Sequence, residues 1–159
     1  MQIRPAHTTN DIEEVRALFR EYEAFLNIDL CFQGFEEELA GLPGKYARPA
    51  GELLIGCSGE QVLGCVALRR LDEQTCEMKR LFVRPAGRGS GLGRKLAERI
   101  VATAQELGYS RMRLDTFERL TEAMGIYESL GFRRTSPYYA NPHAGVVYLE
   151  LDLLAPGAV

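Results

Sequence analysis

The sequence predicts a mixed α/β fold of the α+β type: a mostly antiparallel sheet of six to seven strands flanked by about four helices. Three observations predict it. Apolar spacing is helical over residues 12–26 and changes to short β-rich runs after residue 52. Those runs are joined by tight polar turns, the mark of an antiparallel meander. A glycine-dense loop then opens a long amphipathic helix, and a connection of that length joins strands that run parallel.

Gln2-Ile3-Arg4 reads as a short strand before Pro5. Asn10-Asp11-Ile12-Glu13 places a capping residue three positions before a glutamate, and Ile12, Val15, Leu18, Phe19, Tyr22 and Leu26 follow as one helical face. A second short helix is expected over Phe35 to Leu42, closed by Pro43-Gly44. Glu52–Cys57 and Gln61–Arg69 are strands on either side of Ser58-Gly59-Glu60, and a turn at Asp72-Glu73 leads to a third, Cys76–Val83. That strand stops near Pro85, which cannot donate to a ladder. Leu92, Leu96, Ile100, Val101, Ala104 and Leu107 line one face of the next helix, and Gly108 suits its C-terminal cap. Arg111–Asp115 is then a strand parallel to the one before the loop. Leu120–Leu130 is a helix stopped by Gly131, and Phe132–Thr135 and Val146–Leu153 are strands around a polar, aromatic loop.

A chain of 159 residues is expected to form one domain over 1–159, large enough to bury about two thirds of its unfolded surface. Apolar content of 46 % and charged content of 26 % fit a soluble globule. A net charge of −3 and a pI near 5.5 argue against a nucleic-acid partner. No apolar run reaches membrane-spanning length and no signal-peptide core opens the chain, so no membrane partner and a reduced, cytoplasmic location are expected. Cys31, Cys57, Cys65 and Cys76 are far apart and only two histidines accompany them, so neither a metal site nor a disulfide is expected. Three of the four fall in predicted strands, where small buried thiols are common.

The chemistry is concentrated between residues 81 and 94. Strand, glycine loop and helix together aim backbone N–H groups, and the positive end of a helix dipole, at a phosphate. Glycines at 87, 89, 91 and 93 let that backbone approach an anion. Arg88, Arg94 and Lys95 stand where the dipole disfavours cations unless an anion is bound; the alternative is a solvated turn with ordinary exposed helix formers. No Gly-Lys-Ser/Thr follows at P-loop spacing. A dinucleotide fingerprint begun at Gly89 and Gly91 meets Arg94 where its third glycine belongs.

What fits is Arg88-Gly89-Ser90-Gly91-Leu92-Gly93, which resembles the Q/R-x-x-G-x-G/A signature of the GCN5-related N-acetyltransferase (GNAT) superfamily. The element order β-α-α-β-β-β-α-β-α-β-β is similar to that fold over nearly the whole chain, with residues 25–50 the least constrained. The resemblance implies a sheet splayed at its centre, between the strands carrying Leu81-Phe82-Val83 and Leu114-Asp115-Thr116. It implies acetyl-CoA as cosubstrate and no metal. The cofactor-binding residues it implies are Leu81, Phe82 and Val83 beside the pantetheine arm, Arg88, Gly89, Ser90, Gly91, Leu92, Gly93 and Arg94 at the pyrophosphate, and Thr116 and Tyr127.

Tyr127 lies in Ala123-Met124-Gly125-Ile126-Tyr127-Glu128-Ser129-Leu130-Gly131-Phe132, which resembles the family's A-x-x-x-Y-x-x-x-G-F segment. There the tyrosine protonates the coenzyme A sulfur, and a phenol with a pKa of roughly 10 matches a thiolate's basicity. Leu120 stands where the family often has a cofactor-contacting asparagine. Glu77, eleven positions before Arg88, is the general-base candidate by resemblance to the histone acetyltransferase branch. Strand alternation puts it on one face with Lys79 and Leu81, and Met78, Arg80 and Phe82 on the other. Glu77 then either pairs with Lys79 or faces a wet cleft, and solvent can also deprotonate an amine unaided.

For the acceptor, the resemblance places Ser136–His143 at the pocket's border. Tyr138, Tyr139 and Asn141 are candidate contacts, with Asp29 for an ammonium and Arg80 for a carboxylate. Two functions stay open: an N-acetyltransferase moving an acetyl group to a primary amine of a small molecule or amino acid by direct attack in a ternary complex, and a non-catalytic acetyl-CoA-binding sensor or interaction module. Tyr127 favours the first, since a binder needs no phenol there. A homodimer is left open.

Overall fold

The computed structural model describes residues 1–154, so the last five residues of the expected domain, 155–159, lie outside the described residues. Seven strands form one sheet: β1 (Gln2–Pro5), β2 (Glu52–Ser58), β3 (Gln61–Arg70), β4 (Thr75–Val83), β5 (Arg111–Phe117), β6 (Arg133–Arg134) and β7 (Val146–Asp152). Their order is β1-β2-β3-β4-β5-β7-β6. Every neighbouring pair is antiparallel except β4 and β5, which the long helix between them makes parallel. The helices are α1 (Thr9–Leu26), α2 (Phe35–Ala40), α3 (Leu92–Glu106) and α4 (Thr121–Ser129). The chain adopts the expected α+β class, with a mixed sheet of seven strands and four α-helices.

Local chemistry sets the ends. α1 is capped by Thr8, two residues before the expected Asn10. Its hydroxyl accepts from Asp11 N at 3.1 Å, and the Asp11 carboxylate accepts from Thr8 N at 3.5 Å while pairing with Arg4 at 2.7 Å. The helix ends at Asn27, in the left-handed conformation at φ 56°. Pro5 continues β1 instead of ending it, because β1 is a sheet edge where a missing N–H costs nothing. β6 keeps only Arg133 and Arg134 of the expected Phe132–Thr135.

The two faces of the sheet bury separate cores. α3 and α4 cover one, where Leu96, Ile100 and Val101 meet Cys76, Met78, Met112 and Leu114. α1 and α2 cover the other, where Val15, Leu18, Phe19, Phe35 and Leu39 meet Ile55, Cys65, Ala67 and Phe82. Each such large side chain contributes about 1.5–3 kcal/mol on burial. Double coverage explains why β2 and β3 read as near-continuous apolar runs. Gly56 and Gly64 face each other across β2 and β3 beneath α3. A Cβ on Gly56 would stand 2.5 Å from Leu92 Cδ1, and one on Gly64 would stand 2.8 Å from Phe82 O. The helix rests there on bare backbone.

Two irregularities shape the centre. Pairing between β4 and β5 ends at Glu77 with Arg113, so the strands separate beyond that rung. On the opposite edge of β4, Cys65 faces Phe82 while Ala67 faces Lys79, so Arg80 and Leu81 share the space opposite Val66. Arg80 sits at φ 61° in this bulge. The extra residue resets the alternation. Lys79 and Arg80 both face the α1/α2 side, while Leu81 and Val83 pack toward α3. Simple alternation had placed Leu81 with Glu77 and Lys79, and Arg80 opposite; the bulge corrects both.

Candidate active site

A cleft of about 670 Å³ opens where β4 and β5 separate, walled by α3, α4 and the end of α1. At one end is the loop before α3. Gly89 and Gly91 hold φ of 80° and 81°, values a side chain rarely tolerates. Gly91 is the N-cap of α3 and no side chain caps the helix, so the N–H groups of its first turn are left for another partner. Arg88 lies across the neighbouring wall. Its Nε donates to Val83 O at 3.1 Å, and its guanidinium stacks 5.0 Å from the Phe25 ring centre. Arg94 donates to Ser129 Oγ at 2.5 Å. All the expected cofactor-binding residues line this cleft except Ser90, whose hydroxyl donates to Gly87 O within the loop. Leu120 lines it too, at the position where an asparagine was the comparison.

Tyr127 stands at the far end. Its ring is buried against Phe132, centres 5.7 Å apart, and its hydroxyl has no hydrogen-bond partner among the described residues. Burial pushes this phenol above its ordinary value, with smaller contributions from Tyr22 and Asp115, so it holds its proton throughout the neutral range. Tyr22, Leu81, Thr116 and Tyr127 also line a second cavity of about 30 Å³.

That second cavity is polar. Asp115 Oδ2 accepts from the Tyr139 hydroxyl and from Asn141 Nδ2 at 3.0 Å, while Oδ1 has no partner among the described residues. Gln33 bridges the roof, its Nε2 donating to Tyr139 Oη at 2.9 Å and its Oε1 accepting from Lys79 Nζ at 3.1 Å. Burial lowers Lys79 to about 8, against the opposing pull of Glu77.

The remaining predicted residues are placed differently. Glu77 lines neither cavity and is 1 % exposed; it accepts from Arg69 Nε and from the Tyr138 hydroxyl, each at 2.6 Å. Burial pushes its carboxyl up, but Lys79, Tyr138 and Arg69 together outweigh this and hold it below the usual range. It is thus enclosed in a hydrogen-bonded cluster and does not face a wet cleft. Tyr138 is committed to that same cluster. Arg80 touches the cavity but is occupied by Glu38, with two bonds of 3.1 and 3.0 Å. Asp29 is exposed, lines neither cavity, and folds back on Cys31 N at 2.8 Å, as short acidic side chains do in turns. Asn141 lines the second cavity, whereas Tyr139 lines neither and reaches its wall only through its bonds to Asp115 and Gln33.

Residue-type reasoning passed over Lys79, Asp115 and Gln33 as site residues. The first two are each a charge two positions past the last rung of a parallel pair that then opens, a position that only the strand pairing reveals. Gln33 carried no local signal, because its partners lie 46 and 106 residues away in the chain.

With this geometry in view, the comparisons are consistent. The chain belongs to the acetyltransferase (GNAT) family, whose pattern matches residues 13–132. It is 41 % identical over 145 residues to an uncharacterized N-acetyltransferase of Schizosaccharomyces pombe, covering 90 % of this chain and 89 % of that one. An acetyltransferase structure from Streptococcus agalactiae superposes with a TM-score of 0.76 at 25 % identity, over 95 % of this chain and 97 % of the other. A Salmonella typhimurium structure, described as an acetyltransferase with its cofactor acetyl-CoA, gives 0.73 at 21 % identity over 96 % and 94 %. The protein is an acetyltransferase. Among the described residues no helix is long and apolar enough to cross a membrane, and no three histidine, cysteine or acidic side chains gather as metal ligands would.

Proposed function

We propose that this acetyltransferase uses acetyl-CoA and passes the acetyl group to the primary amine of a small molecule or amino acid, the amine attacking directly while both are bound. The observation that carries it is a pair of adjacent spaces that share Tyr22, Leu81, Thr116 and Tyr127 as walls. The larger runs from the uncapped start of α3 along the unpaired end of β4 to Tyr127, and the smaller lies between Tyr127 and Asp115. The residues suit the ligand: a Cβ at Gly89 or Gly91 would meet nothing within 4 Å, so phosphate oxygens can reach the backbone there.

In this reading the N–H groups of Arg88 to Arg94 hold the pyrophosphate, with the Arg88 and Arg94 side chains beside it. The backbone of Leu81 and Val83, unpaired on the β5 side, receives the pantetheine amides as a sheet edge receives a strand. Arg88 releases the Val83 carbonyl for this. Bound there, acetyl-CoA supplies the acetyl group as an activated thioester. Tyr127, which burial keeps protonated, donates its proton to the departing sulfur. Glu77, fastened by Arg69 and Tyr138, positions Tyr138 and Lys79, and water entering the cavity removes the proton from the amine.

Calorimetric titration with acetyl-CoA, followed by an amine panel read by thiol release, tests this function. Micromolar binding and turnover of at least one primary amine are expected. Absence of acetyl-CoA binding by the folded protein overturns it.

A further inference from the structure

The charges around the split in the sheet can be paired off one by one. Arg69 holds Glu77 at 2.6 Å, and Arg80 holds Glu38 through two bonds. One cation and one anion remain facing the cavity. Lys79 is 8 % exposed; its ammonium has a neutral amide at 3.1 Å and, of carboxylates, only the already neutralised Glu77 at 4.0 Å. Asp115 spends one oxygen on Tyr139 and Asn141 and has the other uncommitted. The two residues hold equivalent positions. Glu77 and Arg113 form the last rung between β4 and β5, and Lys79 and Asp115 each come two residues later, on the same faces of strands that have just parted.

A buried ammonium without a full counter-charge is costly, and the half-buried Asp115 leaves one oxygen open to a ligand's donor. A ligand carrying both opposite charges close together satisfies both. We infer that the acceptor is a free amino acid, or an equally small amine bearing a carboxylate, whose ammonium docks on Asp115 Oδ1 and whose carboxylate is taken by Lys79. The inference rests on the acetyl-transfer reading above and narrows its substrate. Position supports the polarity. Asp115 precedes Thr116, which lines both spaces beside Tyr127, so an amine held by Asp115 lies at the acetyl end of the cleft.

The assignment carries a pH signature. Glu77 and Arg80 of β4, Asp115 of β5 and Lys45 of the turn Gly44–Tyr46 face Lys79, and burial against these sets its titration near 8. Above that value Lys79 turns neutral and its hold on a carboxylate fails.

The test compares kcat/KM for a panel of α-amino acids with kcat/KM for their carboxamides, which keep the amine and lose the negative charge. The native enzyme is expected to favour the acids, and the ratio to fall as pH rises through about 8. Lys79→Met should lower the ratio at neutral pH by about ten- to a hundredfold, chiefly through KM, the span for a hydrogen bond to a charged group. Lys79→Arg should keep the preference and carry it to higher pH. Carboxamides turned over as well as the acids, or a ratio unmoved by Lys79→Met, would each overturn the inference. The native preference for acids over carboxamides at neutral pH decides the matter even if a variant fails to fold. Acetyl-CoA binding with turnover of carboxyl-free amines alone overturns this inference and leaves the acetyl-transfer reading standing; absence of acetyl-CoA binding overturns both.

Discussion

Arg80 and Glu38 form a two-bonded pair that fastens the bulge of β4 to α2, their side chains only 3 % and 4 % exposed. The contact spans 42 residues of chain and stands between the two helices of one face and the strand that borders the cleft. It makes the bulge a fixed feature, because releasing Arg80 would leave a buried carboxylate alone with the partly exposed Lys45 at 3.3 Å.

Breaking this pair from the acidic side should be costly. Glu38→Gln is expected to destabilise the fold by about 3–5 kcal/mol, the range for stripping one partner from a buried ion pair. The sign with pH follows from Glu38 itself. Burial pushes its carboxyl up, but Arg80, Lys45 and Lys79 outweigh that and hold it below its ordinary 4.5. A depressed folded value stabilises above 4.5, and that contribution is lost as pH falls through the folded value. Denaturant melts should therefore show a constant deficit for the variant near neutrality that narrows in acid. A deficit that widens in acid would contradict the pairing.

Tyr127→Phe keeps the ring against Phe132 and removes only the proton donor. It should lower kcat by roughly a hundred- to ten-thousandfold, with acetyl-CoA affinity within about threefold of native. Stopped turnover with full acetyl-CoA binding, read by calorimetry, is the expected pair of results. Full turnover on a good acceptor would remove the phenol from the chemistry.

The loop glycines should rank by backbone conformation. Gly91→Val should weaken acetyl-CoA binding at least tenfold, since φ of 81° at the N-cap of α3 excludes a β-branched residue. Gly89→Ala meets open space but the same left-handed backbone, at about 1–2 kcal/mol, so it should weaken binding measurably and lower the melting temperature. Gly93 has no such φ, and a first side-chain atom there would lie 3.5 Å from Ile126 and 3.7 Å from Val83. Gly93→Val should therefore act by crowding the cleft, with its thermal stability closer to native than that of Gly91→Val.

Thiol reactivity should be confined to one residue. Cys31 is exposed, whereas Cys57, Cys65 and Cys76 are buried, and burial pushes Cys65 and Cys76 up to about 12. An aromatic disulfide reagent should titrate one thiol in the native protein and four in denaturant. The one should react slowly, since its hydrogen bond to Asp29 and that residue's charge raise the Cys31 thiol. Two or more fast native thiols would mean that the sheet opens far more readily than its packing allows.

What was legible in the sequence was local. Leu81 to Arg94 announces a strand, a turn and a helix start through residue types that act on their own neighbours. Tyr127 sits on a helix whose spacing fixes which side it presents. The site's charged half was legible only in part. An added residue at Arg80 leaves no trace in the alternation of a strand buried on both faces, so Arg80 was read as a free cation where Lys79 is the one left uncommitted. Glu77 was identifiable as a strand carboxylate, but its enclosure depends on Arg69 and Tyr138, which reach it from a neighbouring strand and a distant loop. Asp115 gains its meaning only from where β4 and β5 cease to pair.

The bare backbone at Gly56 and Gly64 reaches further than packing. Gly64 faces Phe82 O on β4 and Leu96 on α3, so a methyl there would push on both walls of the cleft at once from a strand that lines none of it. The gauge of the opening is cast in β3, one strand behind the surface that a ligand would touch. Gly64→Ala would then behave as a binding defect in a protein whose every ligand-facing residue is intact. Tolerance to change in this molecule accordingly follows the geometry of its foundation more than nearness to the chemistry.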